Sequence, residues 1–194
     1  NLCSWAQRSL LIEDDGKLIL IDNGMGEKQD AKFFGHYYLH GDDTLDRSLA
    51  SHGFTKDDIT DIFLTHLHFD HCGGSIVREE NKLVPAFKNA TYWSNERHWK
   101  WATEPNAREK ASFLKENILP IKESGRLKFF DLGSASSGLN ALLPESAGLT
   151  TNDSRLTTHD SRLTDNLSFY TVNGHTDAMM LPTINYKGKT IVYM

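Results

Sequence analysis

Residues 61–74 constrain this chain more than any other stretch. Asp61-Ile62-Phe63-Leu64-Thr65 is mostly apolar and β-prone, which predicts a buried strand. It runs straight into His66-Leu67-His68-Phe69-Asp70-His71, where three histidines and a carboxylate fall within six positions. Cys72 and then Gly73-Gly74 follow, and the two glycines let the backbone turn sharply. The ligand-type side chains therefore sit on a loop at a strand end, a common seat for catalytic groups. His66 and His68 alternate along the chain, so extended backbone sends both imidazoles to one side, where they can share a metal ion. Asp70 and His71 come after the turn has begun and are aimed at a second position nearby. Imidazole suits zinc, copper, iron and nickel, and a carboxylate oxygen widens that range. The bland alternative is a histidine-rich surface loop. Clustered His and Asp between a buried strand and a Gly-Gly turn argue for a metal site instead.

The run His66-x-His68-x-Asp70-His71 resembles the signature of the metallo-β-lactamase superfamily, a large set of mostly hydrolytic metalloenzymes. That resemblance implies an α/β fold, the αβ/βα four-layer sandwich, with metals at one edge. In the superfamily a loop beginning with Asp at an early strand end lies near the metals, and Asp22 resembles that residue. Turn chemistry alone is the other reading of Asp22. Asn173-Gly174-His175-Thr176 follows another predicted strand, and His175 resembles the next metal ligand. These last four residues, with the aromatic segment before the motif and the helical stretch after it, resemble the quorum-quenching lactonase and organophosphate hydrolase branch. Such a likeness does not identify the substrate, because function lives in sites grafted onto folds.

Length and composition bound the rest. The 194 residues are read as one domain, 1–194. Hydrophobic content of 39% and charged content of 24% are those of an ordinary globular protein. A net charge of −5 argues against nucleic acid or an anionic membrane as a partner, and leaves a small-molecule substrate. No apolar run approaches the ~18 residues of a membrane span, and no signal peptide opens the chain. Cys3 and Cys72 are too few for a disulfide framework, which points to the cytoplasm, with Cys72 a small buried filler.

Other elements can be placed in order. Ser9–Glu13 and Lys17–Asp22, joined by Asp14-Asp15-Gly16, predict a β-hairpin covered on both faces. Lys28–Gly41 carries Phe33, Phe34, His36, Tyr37, Tyr38 and His40 without a clean period, and is read as a substrate-facing loop, the alternative being a plug at the edge of the core. Asp42–His52 predicts a helix capped by Asp42 or Asp43 and stopped at Gly53. Thr55–Thr60 predicts a short capped turn. Ala90–Trp93 reads as a strand, with Ser94 capping a helix that carries His98; a histidine there serves packing or solvent. Asn106–Ile118 predicts a second helix ended by Pro120. Leu127–Phe130 and Leu167–Val172 are strands, and Leu181–Tyr186 with Thr190–Met194 a closing hairpin. The segment 133–165 holds two near-identical heptads beginning at Asn152 and His159, and is read as a flexible insertion in which His159 is no ligand.

The function expected is metal-dependent hydrolysis of an ester, lactone or phosphotriester. His66, His68 and His175 hold one ion, and three nitrogens leave a tetrahedral ion one position for water, whose pKa falls towards ~7. Asp70 and His71 begin a second site, and Asp70 can relay a proton to the leaving group. The expected cofactor is zinc, as one or two ions, with manganese, iron, cobalt or nickel as substitutes. Rival readings are a β-lactamase, a glyoxalase-type thioester hydrolase, and a non-hydrolytic redox module of the same fold. The redox relatives place an acidic residue where His68 stands. None of His36, His40, His52, His98 or His159 has a ligand-like context. A two-metal site in the superfamily also takes a bridging carboxylate at a later strand end and then a further histidine, so the resemblance implies that the chain is a piece of a longer enzyme whose residues just past Met194 supply the Asp. Its last strand would then leave an open edge, which invites a homodimer.

Overall fold

The computed structural model describes residues 3–132, 156–158 and 162–194. Two sheets stack face to face. The first has five strands in the order β1 (Leu10–Asp14), β2 (Lys17–Ile21), β3 (Asp61–Phe63), β6 (Thr91–Asn95) and β7 (Leu127–Phe130). The second has β11 (Lys189–Val192), β10 (Met179–Tyr186), β9 (Leu167–Val172) and β8 (Leu156–Thr158). A separate hairpin joins β4 (Ile76–Glu79) to β5 (Lys82–Pro85).

The all-apolar hairpin has a direct explanation. On β2, Ile19 and Ile21 face the second sheet and pack with Phe63, Phe130, Phe169 and Met180. Leu18 and Leu20 point the other way, into a core shared with Ile62 and Tyr92 and with the helices. Alternate side chains of one strand thus enter two different cores. The helices are α1 (Ala31–Phe34), α2 (Leu45–Ser51), α3 (Phe69–Cys72), α4 (Glu96–Thr103) and α5 (Lys115–Glu123). Leu49, Trp99, Ala102, Ile118 and Ile121 bring α2, α4 and α5 onto the first sheet. Helix, sheet and sheet form three layers of the expected sandwich. No helix among the described residues is long and apolar enough to cross a membrane.

Several local expectations need correction. The α2 cap is Thr44, whose hydroxyl accepts from the Arg47 N–H at 3.2 Å, rather than Asp42 or Asp43. Ser94 stays in β6, and Asn95 caps α4 by accepting from the His98 N–H at 2.7 Å. The helix expected over Asn106–Ile118 is broken. Asn106 closes a turn by accepting from the Arg108 and Glu109 N–H groups, and Phe113 is extended. Its ring lies 4.6 Å from that of His68, so a tertiary contact overrides helix propensity there. Helix α5 then runs through Pro120 instead of ending before it. The hairpin β4–β5 was not anticipated. Of the expected insertion, 133–155 and 159–161 lie outside the described residues, His159 among them. Leu156–Thr158 pairs with β9, and Leu163 and Thr164 are buried. The strand β11 is a sheet edge and exposes Ile191 and Val192.

Gly73 and Gly74 matter for what they lack. Gly73 has ordinary right-handed helical backbone, so sharp turning is not the reason for it. A Cβ at Gly73 would stand 2.1 Å from the Met25 carbonyl oxygen, and one at Gly74 2.2 Å from the Asn23 oxygen. The loop after β2 lies backbone to backbone on the metal motif, tied by Asn23 N–H to His71 O at 2.9 Å and Gly74 N–H to Gly24 O at 2.9 Å. The Lys28 ammonium donates to Gly73 O at 2.6 Å, and burial pushes its pKa down from 10.5 to about 8.

Two predictions follow from this contact. Gly73→Ala should lower unfolding stability by about 3 kcal/mol or more, because backbone cannot yield as a side chain does; an unchanged urea midpoint would contradict the close approach. The folded protein also releases the Lys28 proton before the unfolded chain does. Stability relative to Lys28→Met should therefore rise between pH 8 and 10.5. A difference that stays flat over that window would show that Lys28 is not desolvated.

Candidate metal centre

Parallel pairing of β2 with β3, and of β3 with β6, brings three strand ends to one edge of the first sheet. Beyond β3, Leu64 still donates to Trp93 O at 3.0 Å, and Thr65 O accepts from the Met180 N–H at 2.9 Å. The second bond ties the motif to the opposite sheet. His68 is extended, and its O accepts from the His71 and Cys72 N–H groups and starts α3. His66 and His68 therefore precede the helical turn, while Asp70 and His71 sit on it.

Asp22 sets the histidine tautomers. It is buried, at a φ of 54°, directly after β2. Its Oδ1 accepts from the Thr65 N–H at 2.9 Å; Oδ2 accepts from the Thr65 hydroxyl at 2.8 Å and from His71 Nδ1 at 2.7 Å. The hydroxyl proton is thereby used, so Thr65 Oγ1 accepts from His66 Nδ1 at 3.0 Å. His66 is left with a lone pair on Nε2, and His71 likewise. Partners of this kind orient metal-ligating histidines.

The ring nitrogens of His66, His68 and His175 lie within 4.8 Å of one another. The His66 ring centroid is 5.0 Å from that of His175 and 4.0 Å from that of His71. Nε2 of His66 and of His68 are buried without a hydrogen-bond partner. Burial, then the neighbouring histidines, hold His66 well below the usual imidazole range; burial and His175 lower His68. Buried, unpartnered ring nitrogens on these imidazoles fit a divalent cation. On the far side, His71 Nε2 lies 3.8 Å from Asp70 Oδ2. Burial disfavours charge on His71, but the Asp22 hydrogen bond and charge, with Asp70, outweigh it and raise its pKa.

All five sequence-derived candidates thus meet at one edge, His175 coming from the loop between β9 and β10. The sequence reading did not single out Glu109, whose carboxylate lies 3.7 Å from His68 Nε2 and takes bonds from Trp101 Nε1 and Asn106. The broken helix, not any motif, puts it there. Cys72 is a buried filler: its thiol contacts Leu67 O at 3.3 Å, and burial pushes its pKa up to about 12. Phe33, Tyr37 and Phe69 form an aromatic cluster, with centroids 5.2 to 5.4 Å apart.

Asp22→Ala should strip both His66 and His71 of their orienting partners, lowering metal affinity about 10- to 100-fold. Chelator competition on the purified protein checks this, and parent-like affinity would count against the tautomer argument.

The fold resembles that of several solved structures. The chain covers 95% of itself and 54% of AidC, a dizinc quorum-quenching lactonase solved with the product N-hexanoyl-L-homoserine, at 24% identity and a TM-score of 0.64. It covers 95% of itself and 55% of a probable metal-dependent hydrolase from Staphylococcus aureus, at 20% identity and a TM-score of 0.71. A third match is an N-acyl homoserine lactone hydrolase with product bound at its catalytic metal centre: 19% identity, TM-score 0.59, 94% of this chain and 60% of that one. The chain thus spans somewhat more than half the length of these structures. None of the curated proteins matches it by sequence. The family profile described as the metallo-beta-lactamase superfamily matches residues 5–138, more than half of the chain, and the chain belongs to that superfamily.

Proposed function

We propose that this chain carries the metal site of a hydrolase acting on a small ester, lactone or phosphotriester. One observation supports this above the others: the ring nitrogens of His66, His68 and His175 converge within 4.8 Å at the edge of a two-sheet core, with Nε2 of His66 and of His68 buried and unpartnered. Three nitrogen donors with an open fourth position are the donor set of a catalytic zinc site, so zinc is the proposed ion. Such an ion supplies Lewis acidity, acidifying a water and taking up charge on a carbonyl or phosphoryl oxygen.

The residues divide the remaining work. His66, His68 and His175 hold the first position; Asp70 and His71 offer a second. The Asp70 carboxylate is open to solvent and free to pass a proton to a leaving group. Phe33, Tyr37 and Phe69 offer an apolar wall beside it, suited to an acyl or aryl group next to the scissile bond. The relatives solved with N-hexanoyl-homoserine products fit a lactone in that place. Cys3 and Cys72 are free thiols, consistent with work in the cytoplasm.

Metal analysis by mass spectrometry, beside a panel of lactones and phosphotriesters, tests the proposal. The chain should hold nearer one ion than two, because the second position has only Asp70 and His71 among the described residues. The double change His66→Ala with His68→Ala should remove that ion and any turnover. Full metal retention in the double variant would sink the assignment.

A further inference from the structure

His175 lies on the loop 173–178, and no hydrogen bond among the described residues holds its imidazole. Its position is set by the loop, and the loop is held by the first turn of α4. The Asn95 amide donates to Ala178 O at 2.9 Å. Arg97 grips the Asp177 carboxylate with two bonds, Nε to Oδ2 at 2.8 Å and Nη2 to Oδ1 at 2.6 Å. His98 donates from Nδ1 to Asp177 O at 2.6 Å. Its other nitrogen, Nε2, accepts from the Leu67 N–H at 2.9 Å, and Leu67 stands between His66 and His68.

We propose that His98 is a positioning residue for the metal centre: its imidazole ties the His66–His68 segment to the His175 loop, with Arg97 as a second clamp. This rests on the metal-site reading above. The two partners dictate the tautomer. A carbonyl can only accept and a backbone N–H can only donate, so His98 must be neutral with its proton on Nδ1. The side chain is 1% exposed, and its two ring nitrogens bond to both segments at once. Loss of the ring frees the third ligand from the other two, and also leaves the Leu67 N–H without its partner. His98 itself does not touch the ion; it acts through the backbone on either side.

Chelator competition with Zn2+ and Co2+ tests this on the whole chain, using the visible spectrum of bound Co2+ as a report of ligand geometry. His98→Ala should weaken binding about 10- to 100-fold and change that spectrum. His98→Gln sets an amide oxygen where Nε2 stands, keeps the Leu67 bond, and should recover part of the affinity. Arg97→Ala, at an exposed side chain, should weaken binding by about three- to tenfold and change the Co2+ spectrum, with the fold intact. If His98→Ala does not fold, Arg97→Ala decides alone. Parent-like affinity and an unchanged Co2+ spectrum, in His98→Ala or in that fallback, would overturn the proposal. His66→Ala separates the two readings. If it keeps parent affinity, the metal site itself is wrong; if it loses binding while His98→Ala does not, only the brace is wrong.

Discussion

The buried carboxylate of Asp22 is the contact on which the site depends. It takes three donors, the Thr65 N–H, the Thr65 hydroxyl and His71 Nδ1. Each bond would be weak in water but is strong in a buried setting, where an unpaired donor is costly. Through Thr65 the same carboxylate reaches His66, so one side chain sets the proton positions of two imidazoles. That arrangement needs β2 and β3 side by side and parallel, with their ends at the same height.

Backbone proximity then makes the arrangement rigid. The loop after β2 touches the Gly73-Gly74 backbone at distances no Cβ would permit. Two main-chain hydrogen bonds and the Lys28 ammonium close that seam. From the other side, the Met180–Thr65 bond joins the sheets next to the ligands, and α4 clasps the His175 loop. The candidate site is thus assembled by three stretches far apart in sequence, none of which could orient its side chains alone. Second contacts of this kind are what hold ligand geometry in metal sites.

Much of this was legible in the residues. The strand leading into His66-x-His68-x-Asp70-His71 reads correctly because apolar, β-prone patterning is a local property. The apolar β1–β2 hairpin, Gly53 as a helix stop and His175 at a strand end read correctly for the same reason. The caps at Thr44 and Asn95 were misplaced by one or two residues, since neighbouring polar side chains compete for the same N–H groups and only the backbone path chooses. The Asn106–Ile118 helix is broken where Phe113 turns extended and packs against His68, a contact no local pattern shows.

Sequence alone determined which residues offer metal-ligand chemistry and that they belong at a strand end, because those facts follow from side-chain type and period. Only the tertiary structure decided that Asp22 governs two histidines, that Gly73 and Gly74 serve close contact rather than turning, and that His98 links two loops instead of merely packing. Each of these depends on partners 31 to 79 residues away in the chain, and no local pattern encodes such a distance.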